Sequence, residues 1–208
     1  MKLIVLEGID GCGKTSLIRS LQHELTQQGA QVILGQGLGS SSLGKEMRQI
    51  FLHNPLLTSP TRYLLSFANM LQTQEELIKP HLHQPTIILM DRWVGSNFAY
   101  QVYPHSTDPT HQKFNLIHQD FYQPDLTVYI DIEPEIGLKR KQIQPHHKTD
   151  VIEEKPLSYF HQVRQGYYQY LEKYQPHHHL FLSGTTTIEE NTRLIIQKIN
   201  QIKEQPHD

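Results

Sequence analysis

One segment constrains this chain more than any other. Gly8-Ile9-Asp10-Gly11-Cys12-Gly13-Lys14-Thr15 fits the spacing GxxxxGK[ST]. It lies between an apolar run, Leu3 to Leu6, and a stretch with apolar residues at helical spacing, Leu17, Ile18, Leu21 and Leu25. The chemistry of a phosphate-binding loop demands this order. A buried strand delivers the loop, and Gly8, Gly11 and Gly13 let successive backbone N–H groups turn toward one anion. Cys12 is a small residue that the loop tolerates. Lys14 reaches the β- and γ-phosphates, and the Thr15 hydroxyl, beside Ser16, offers a ligand to Mg²⁺. A helix opening near Lys14 adds the positive end of its dipole. The expected ligand is a nucleoside triphosphate, with Lys14 facing solvent when nothing is bound.

The rest of the chain continues the alternation that the loop implies. Val32 to Leu34, Thr86 to Met90, Leu126 to Ile130 and His179 to Leu182 read as further strands. Helical spacing covers Lys14 to Gln28, Leu43 to Leu52, Pro60 to Lys79, Pro134 to about Gln142, Pro156 to Tyr174 and Ile188 to Ile202. Trp93 to Gln101 also reads as helix, and no element is read between Val102 and Asp125. Apolar strands separated by helices specify an α/β fold: a parallel sheet of about five strands covered on both faces. One domain spans residues 1–208. The polar stretch Gln142 to Lys155 lacks apolar period and is expected to be the least ordered. Asp91 follows an apolar strand, so it falls at the carboxyl end where open α/β sheets bind ligands. Its carboxylate suits Mg²⁺, through water, or a basic partner, and the adjacent Arg92 suits phosphate.

Composition removes other classes. Nineteen Lys and Arg against 21 Asp and Glu give a net charge of −2, with no basic excess for nucleic acid or an anionic membrane. A single cysteine excludes an intramolecular disulfide framework. No apolar run approaches membrane-spanning length, and Met1-Lys2 leads directly into Leu3 without signal-peptide architecture. A soluble cytoplasmic protein is expected. His146-His147 and His177-His178-His179 have no cysteine partners and no ligand spacing, so they are read as composition rather than a metal site.

Beyond the loop, longer motifs resemble the thymidylate (dTMP) kinase family of P-loop nucleoside monophosphate kinases. Leu6 to Thr15 resembles its LEGxDGxGKT, Asp91 to Gln101 its DRxxxSxxAYQ, and Pro124 to Arg140 its PDLTxYLDxxPExGLxR. Phe160, Val163-Arg164 and Gly166-Tyr167 match the helix after its lid. The resemblance runs from Leu3 to about Ile199. It implies a P-loop NTPase fold with a short lid at about 141–155, ATP and Mg²⁺ as cofactors, and a homodimer. On this reading Gly8, Asp10, Gly11, Cys12, Gly13, Lys14, Thr15, Ser16 and Arg140 form the ATP side, with Thr15 and Asp91 toward the metal. Asp10, Arg48, Phe67, Arg92, Ser96, Tyr100 and Gln101 form the acceptor side. Asp10 takes the 3′-hydroxyl, Arg92 and Arg48 the acceptor phosphate, and Tyr100 disfavours ribose. Lys14, Asp91 and Arg92 carry catalysis. Lys141, Lys148, Asp150 and Glu153 belong to the lid. For the dimer the sequence offers Phe98 and Tyr100 beside Val102 as an apolar face.

Three departures from the family pattern matter. An Arg-Glu-Pro-Gly segment after the second strand is replaced by Leu34-Gly35-Gln36-Gly37-Leu38-Gly39. The substrate helix carries Ser66 where the family has a Phe that stacks on thymine, and Met70 where an Arg reads a base carbonyl. Phe67 is one residue on, about 100° around a helix. Arginines expected in the phosphate loop or lid are absent: Gly11, Gln142, Gln144 and Val151 stand there, leaving Arg140, Lys141 and Lys148. The expected function is ATP-dependent phosphorylation of a deoxynucleoside monophosphate, dTMP first, with altered base selectivity. The alternatives are a different nucleotide or nucleoside-like acceptor, or a nucleotide-binding paralogue with little turnover.

Overall fold

The computed structural model describes residues 1–105, 108–143 and 149–204. Lys148 and Gln144, with the His146-His147 pair, lie outside the described residues. Five strands form one parallel sheet in the order β2-β3-β1-β4-β5. They are β1 (Lys2–Glu7), β2 (Gln31–Gln36), β3 (Thr86–Asp91), β4 (Leu126–Asp131) and β5 (His179–Ser183). β1 is central, and Leu3, Ile4, Val5 and Leu6 are all buried, as a strand covered on both faces requires. Helices α1 (Lys14–Gln27) and α8 (Ile188–Glu204) pack on one another, α1 also touching β1, β2 and β3. A second helical layer joins α2 (Gly44–His53), α3 (Ser59–Thr73), α4 (Val94–Asn97) and α7 (Leu157–Tyr174). Among the described residues no helix is long and apolar enough to cross a membrane.

Three segments differ from the sequence expectation. The helix expected to run to Lys79 leaves α geometry at Thr73 and continues as a π turn, Gln74–Ile78. Gln74 is buried there. Its side-chain amide donates to the Asp120 carbonyl at 2.9 Å, and its carbonyl oxygen accepts from the Tyr122 backbone N–H at 2.6 Å. A 3₁₀ turn, Lys79–His81, with Pro80 inside it, follows. Likewise Trp93 to Gln101 divides into α4 and a π turn, Phe98–Val102. Helix α5 (Asp108–His118) was not anticipated at all. Its sequence is mostly polar, and Phe114, fully buried between Phe98 and Tyr174, supplies its main anchor.

The described part of the polar stretch before α7 is tied down. Asp150 Oδ1 accepts from the backbone N–H groups of Ile152 and Glu153 at 2.8 and 3.0 Å. The Val151 N–H donates to the Leu52 carbonyl at the end of α2 at 3.1 Å, and Ile152 is buried.

Candidate active site

The phosphate-binding loop joins β1 to α1. Its glycines do steric work at Gly11, where φ is +77° and an added Cβ would lie 2.0 Å from the Gly137 carbonyl oxygen. Helix α6 (Pro134–Gln142) therefore approaches the loop as closely as backbone allows. Lys14 is buried rather than facing solvent: its ammonium donates to the carbonyls of Gly8 at 2.9 Å and Ile9 at 3.1 Å. A cation with three donors takes the nearest acceptors, and here those are the loop's own carbonyls. Thr15 and Ser16 are exposed on the first turn of α1. Arg140, on α6, donates to the Gly184 carbonyl at 2.8 Å and so fixes the loop after β5.

Beside the loop, at the carboxyl ends of β1 and β3, lies a cleft. Asp10, Asp91, Arg92, Arg48, Ser96 and Tyr100 border it. Arg92 adopts φ +64° and is the one non-glycine residue with positive φ among the described residues. That conformation costs an L residue about 1–2 kcal/mol. It turns the guanidinium back over the loop, where it donates to Asp10 at 2.9 Å, Tyr167 at 2.8 Å and Ser96 at 3.2 Å. The guanidinium also sits 5.2 Å from the centre of the Tyr100 ring.

The charges are set by one another. Burial works against the Arg92 charge, yet the surrounding tyrosine oxygens and the Asp10 and Asp91 carboxylates hold its pKa well above the usual value. Burial opposes the Asp10 carboxylate too, and Arg92, Lys14 and Lys141 still hold its pKa well below the carboxylate range. Arg48 donates to the Leu38 carbonyl at 3.1 Å. Burial and the like charge of Arg92 lower its pKa, against the pull of Asp91, Asp10 and Asp150. The two guanidiniums repel one another across the cleft, although carboxylates flank both. One oxygen of Asp91 is buried with no protein partner.

The comparisons with known proteins decide between readings of this cleft. A family model described as thymidylate kinase matches residues 6–195. A thymidylate kinase of Thermoanaerobacter sp. (strain X514) is 34% identical over 185 residues, 88% of this chain and 89% of the relative. That of Caldanaerobacter subterraneus subsp. tengcongensis is 30% identical over 202 residues, covering 96% and 95%. That of Acinetobacter baylyi is 32% identical over 176 residues, covering 82% and 85%.

The chain belongs to the thymidylate kinase family. The motif residues expected of a thymidylate kinase are brought together as the sequence suggests, with specific exceptions. Ser66 and Met70 both border the cleft, so the replaced positions do face it. Phe67 does not: it is buried among Tyr63, Phe114 and Phe121, 100° around α3 from the cleft face. Gln101 borders the cleft from the π turn, beside Tyr100. Lys141 and Asp150 also line it, and Lys141 stands 3.8 Å from Glu153. Arg164 is no substitute for a missing lid arginine, because Asp131 and Glu133 already hold it at 2.7 Å each. Phe98, Tyr100 and Val102, offered above as a dimer face, are all buried within the chain.

Other participants were not assigned roles from sequence. Trp93 borders the cleft while its indole N–H donates to the Tyr122 carbonyl at 3.1 Å. Tyr167 matched the helix after the lid without a role, yet its hydroxyl accepts from Arg92 at 2.8 Å. Glu7 sat inside a motif without a role. Its signal was there: a carboxylate closing an otherwise apolar strand.

Proposed function

We infer that this protein transfers the γ-phosphoryl group of ATP to the 5′-phosphate of dTMP. The observation that carries it is the convergence of Arg92, Arg48 and the phosphate-binding loop on one cleft in a chain of the thymidylate kinase family. The loop amides and Lys14 take the ATP phosphates, Lys14 exchanging its bonds to the Gly8 and Ile9 carbonyls for phosphate oxygens. Arg92 and Arg48 take the acceptor phosphate, whose charge relieves their mutual repulsion. The acceptor phosphate is already an anionic nucleophile, so no general base is needed. Positioning and charge stabilisation supply the catalysis.

Mg²⁺ suits the residues present. Thr15 offers an exposed hydroxyl, and the unpartnered Asp91 oxygen is a hard donor of the kind Mg²⁺ takes through water. When bound, the ion neutralises charge on the β- and γ-phosphates. Asp10 and Tyr100 stand where the sugar is read, and Lys141, Asp150 and Glu153 are the described part of the lid, about 141–155. Arg140 belongs to the ATP side through its hold on Gly184.

We assign the active species as a cytoplasmic homodimer. Leu56, 87% exposed in the turn before α3, and Leu64, 57% exposed along α3, are offered as its apolar surface. A coupled assay of ADP release with ATP, Mg²⁺ and dTMP tests the activity. ADP release that does not depend on dTMP overturns it.

A further inference from the structure

Glu7 is an unusual group to bury. It closes β1, is 1% exposed, and takes no part in the proposed phosphoryl transfer. A carboxylate in that position is costly unless hydrogen bonds hold it. Three do. Its Oε1 accepts from the Trp93 backbone N–H at 2.8 Å and the Ser96 backbone N–H at 3.0 Å. Its Oε2 accepts from the Ser96 hydroxyl. Each of these contacts falls on the turn that begins with Arg92, which holds a left-handed backbone conformation. Such strain persists only where the surroundings over-determine it. Here the Arg92 N–H donates to the Leu6 carbonyl at 3.0 Å, and Glu7 grips the next peptide N–H and the fourth.

The side chains add a second hold. Ser96 has one hydrogen, and the Glu7 carboxylate takes it. The serine oxygen is then left with lone pairs only. It accepts from Arg92 Nη1 at 3.2 Å, and the Tyr167 hydroxyl becomes the donor in the 2.8 Å contact between Ser96 and Tyr167. Tyr167 in turn accepts from Arg92 Nη1 at 2.8 Å. The charge on Glu7 thus sets the hydrogen-bond direction of the whole cluster, turning two hydroxyl oxygens toward the guanidinium. Burial raises the Glu7 pKa on balance, with the Ser96 hydroxyl and the Arg92 charge offsetting part of that rise.

We propose that Glu7 is a positioning residue for Arg92, fixing its backbone turn directly and its guanidinium through the Ser96 hydroxyl. The proposal rests on reading Arg92 as the acceptor-phosphate arginine. Glu7 touches no substrate, and its effect belongs to acceptor binding and transfer rather than to ATP binding.

The test is steady-state kinetics with dTMP and ATP varied separately, on Glu7→Gln, Ser96→Ala, Ser96→Thr and the Glu7→Gln/Ser96→Ala pair, with Tm recorded for each. Glu7→Gln presents an amide N–H to Ser96, reversing that bond at almost constant shape. The expected result is a dTMP KM raised about tenfold or more (a tenfold change is about 1.4 kcal/mol) with ATP KM within about twofold. Ser96→Ala should match it, Ser96→Thr should recover most of it, and the pair should be no worse than the stronger single change. If Glu7→Gln fails to fold, the Ser96 pair of variants decides alone. A dTMP KM unchanged in Ser96→Ala, or dTMP and ATP KM rising together, overturns the proposal. Arg92→Gln separates the two readings: if it leaves dTMP KM unchanged, the assignment of Arg92 itself has failed.

Discussion

The Arg92 guanidinium donates to the Asp10 carboxylate across 2.9 Å, tying the turn after β3 to the phosphate-binding loop after β1. Both side chains are only partly exposed, at 17% and 27%, so the bond is partly shielded from water. Asp10→Asn should cost about 1–2 kcal/mol at neutral pH. The sign with pH follows from the depressed carboxyl. The native group stays ionised below its ordinary value of 3.8, where the unfolded chain already binds a proton. The stabilisation is complete above about pH 4 and is lost as pH falls toward the native pKa. Urea unfolding of both proteins from pH 7 to pH 3 should show the difference shrinking with acid. A constant difference would mean that the pair contributes nothing through ionisation.

Lys14→Ala should abolish turnover and, because the ammonium is bonded to loop carbonyls, also lower stability by about 1 kcal/mol. Its kcat and unfolding midpoint report the two effects separately. Wild-type turnover would move the donor site away from this loop.

An arginine cannot be restored at Gly11. The positive φ and the Gly137 carbonyl 2.0 Å from any Cβ make even Gly11→Ala destabilising, by about 1–3 kcal/mol or more. Denaturant melts check this, and a neutral substitution would show that α6 yields freely.

Acceptor choice should be relaxed. Ser66 and Met70 offer the base neither an aromatic face nor a cation, and Phe67 is committed to the core. Lost stacking and a lost charged hydrogen bond together predict a dTMP KM about ten- to a thousandfold weaker than the family pattern gives. Rates with dTMP, dUMP, dCMP, dGMP and dAMP at equal concentration decide it. Sharp preference for dTMP at micromolar KM would show that other cleft residues have rebuilt the base site.

The dimer is tested by Leu64→Glu. Sedimentation should show the parent as a dimer at micromolar concentration and the variant shifted to monomer, since a charge on an apolar interface is costly. A monomeric parent removes the assignment.

What could be read from the sequence was what local chemistry dictates. The loop from Gly8 to Thr15 was legible because only one arrangement of glycines, Lys and Thr cradles phosphate. The strands were legible because burial on both faces leaves unbroken apolar runs. Helix α5 was not, because a single buried ring, Phe114, holds it through contacts distant in sequence. The π turn at Gln74–Ile78 escaped for a similar reason: Gln74 bonds to Asp120 and Tyr122, far along the chain. Glu7 was visible as a residue but silent as a role, because its partners Trp93 and Ser96 are far along the chain. Lys14 turns inward instead of toward solvent because the Gly8 and Ile9 carbonyls lie within reach of its ammonium, a contact that the motif spacing does not reveal.

The positions of Ser66 and Met70 on α3, outside the sheet, carry an evolutionary consequence. Asp10 and Arg92 leave the ends of hydrogen-bonded strands, where any shift would disturb a shared ladder. A helix side chain belongs to no ladder: Ser66 bonds to Tyr63 and Asn97 and Met70 packs in the core, so an exchange there asks a few neighbouring side chains to adjust rather than a whole sheet. Drift in which base is accepted can therefore accumulate on α3 while the apparatus for moving a phosphoryl group stays fixed. A lineage built this way can sample new nucleotides without first relearning the reaction.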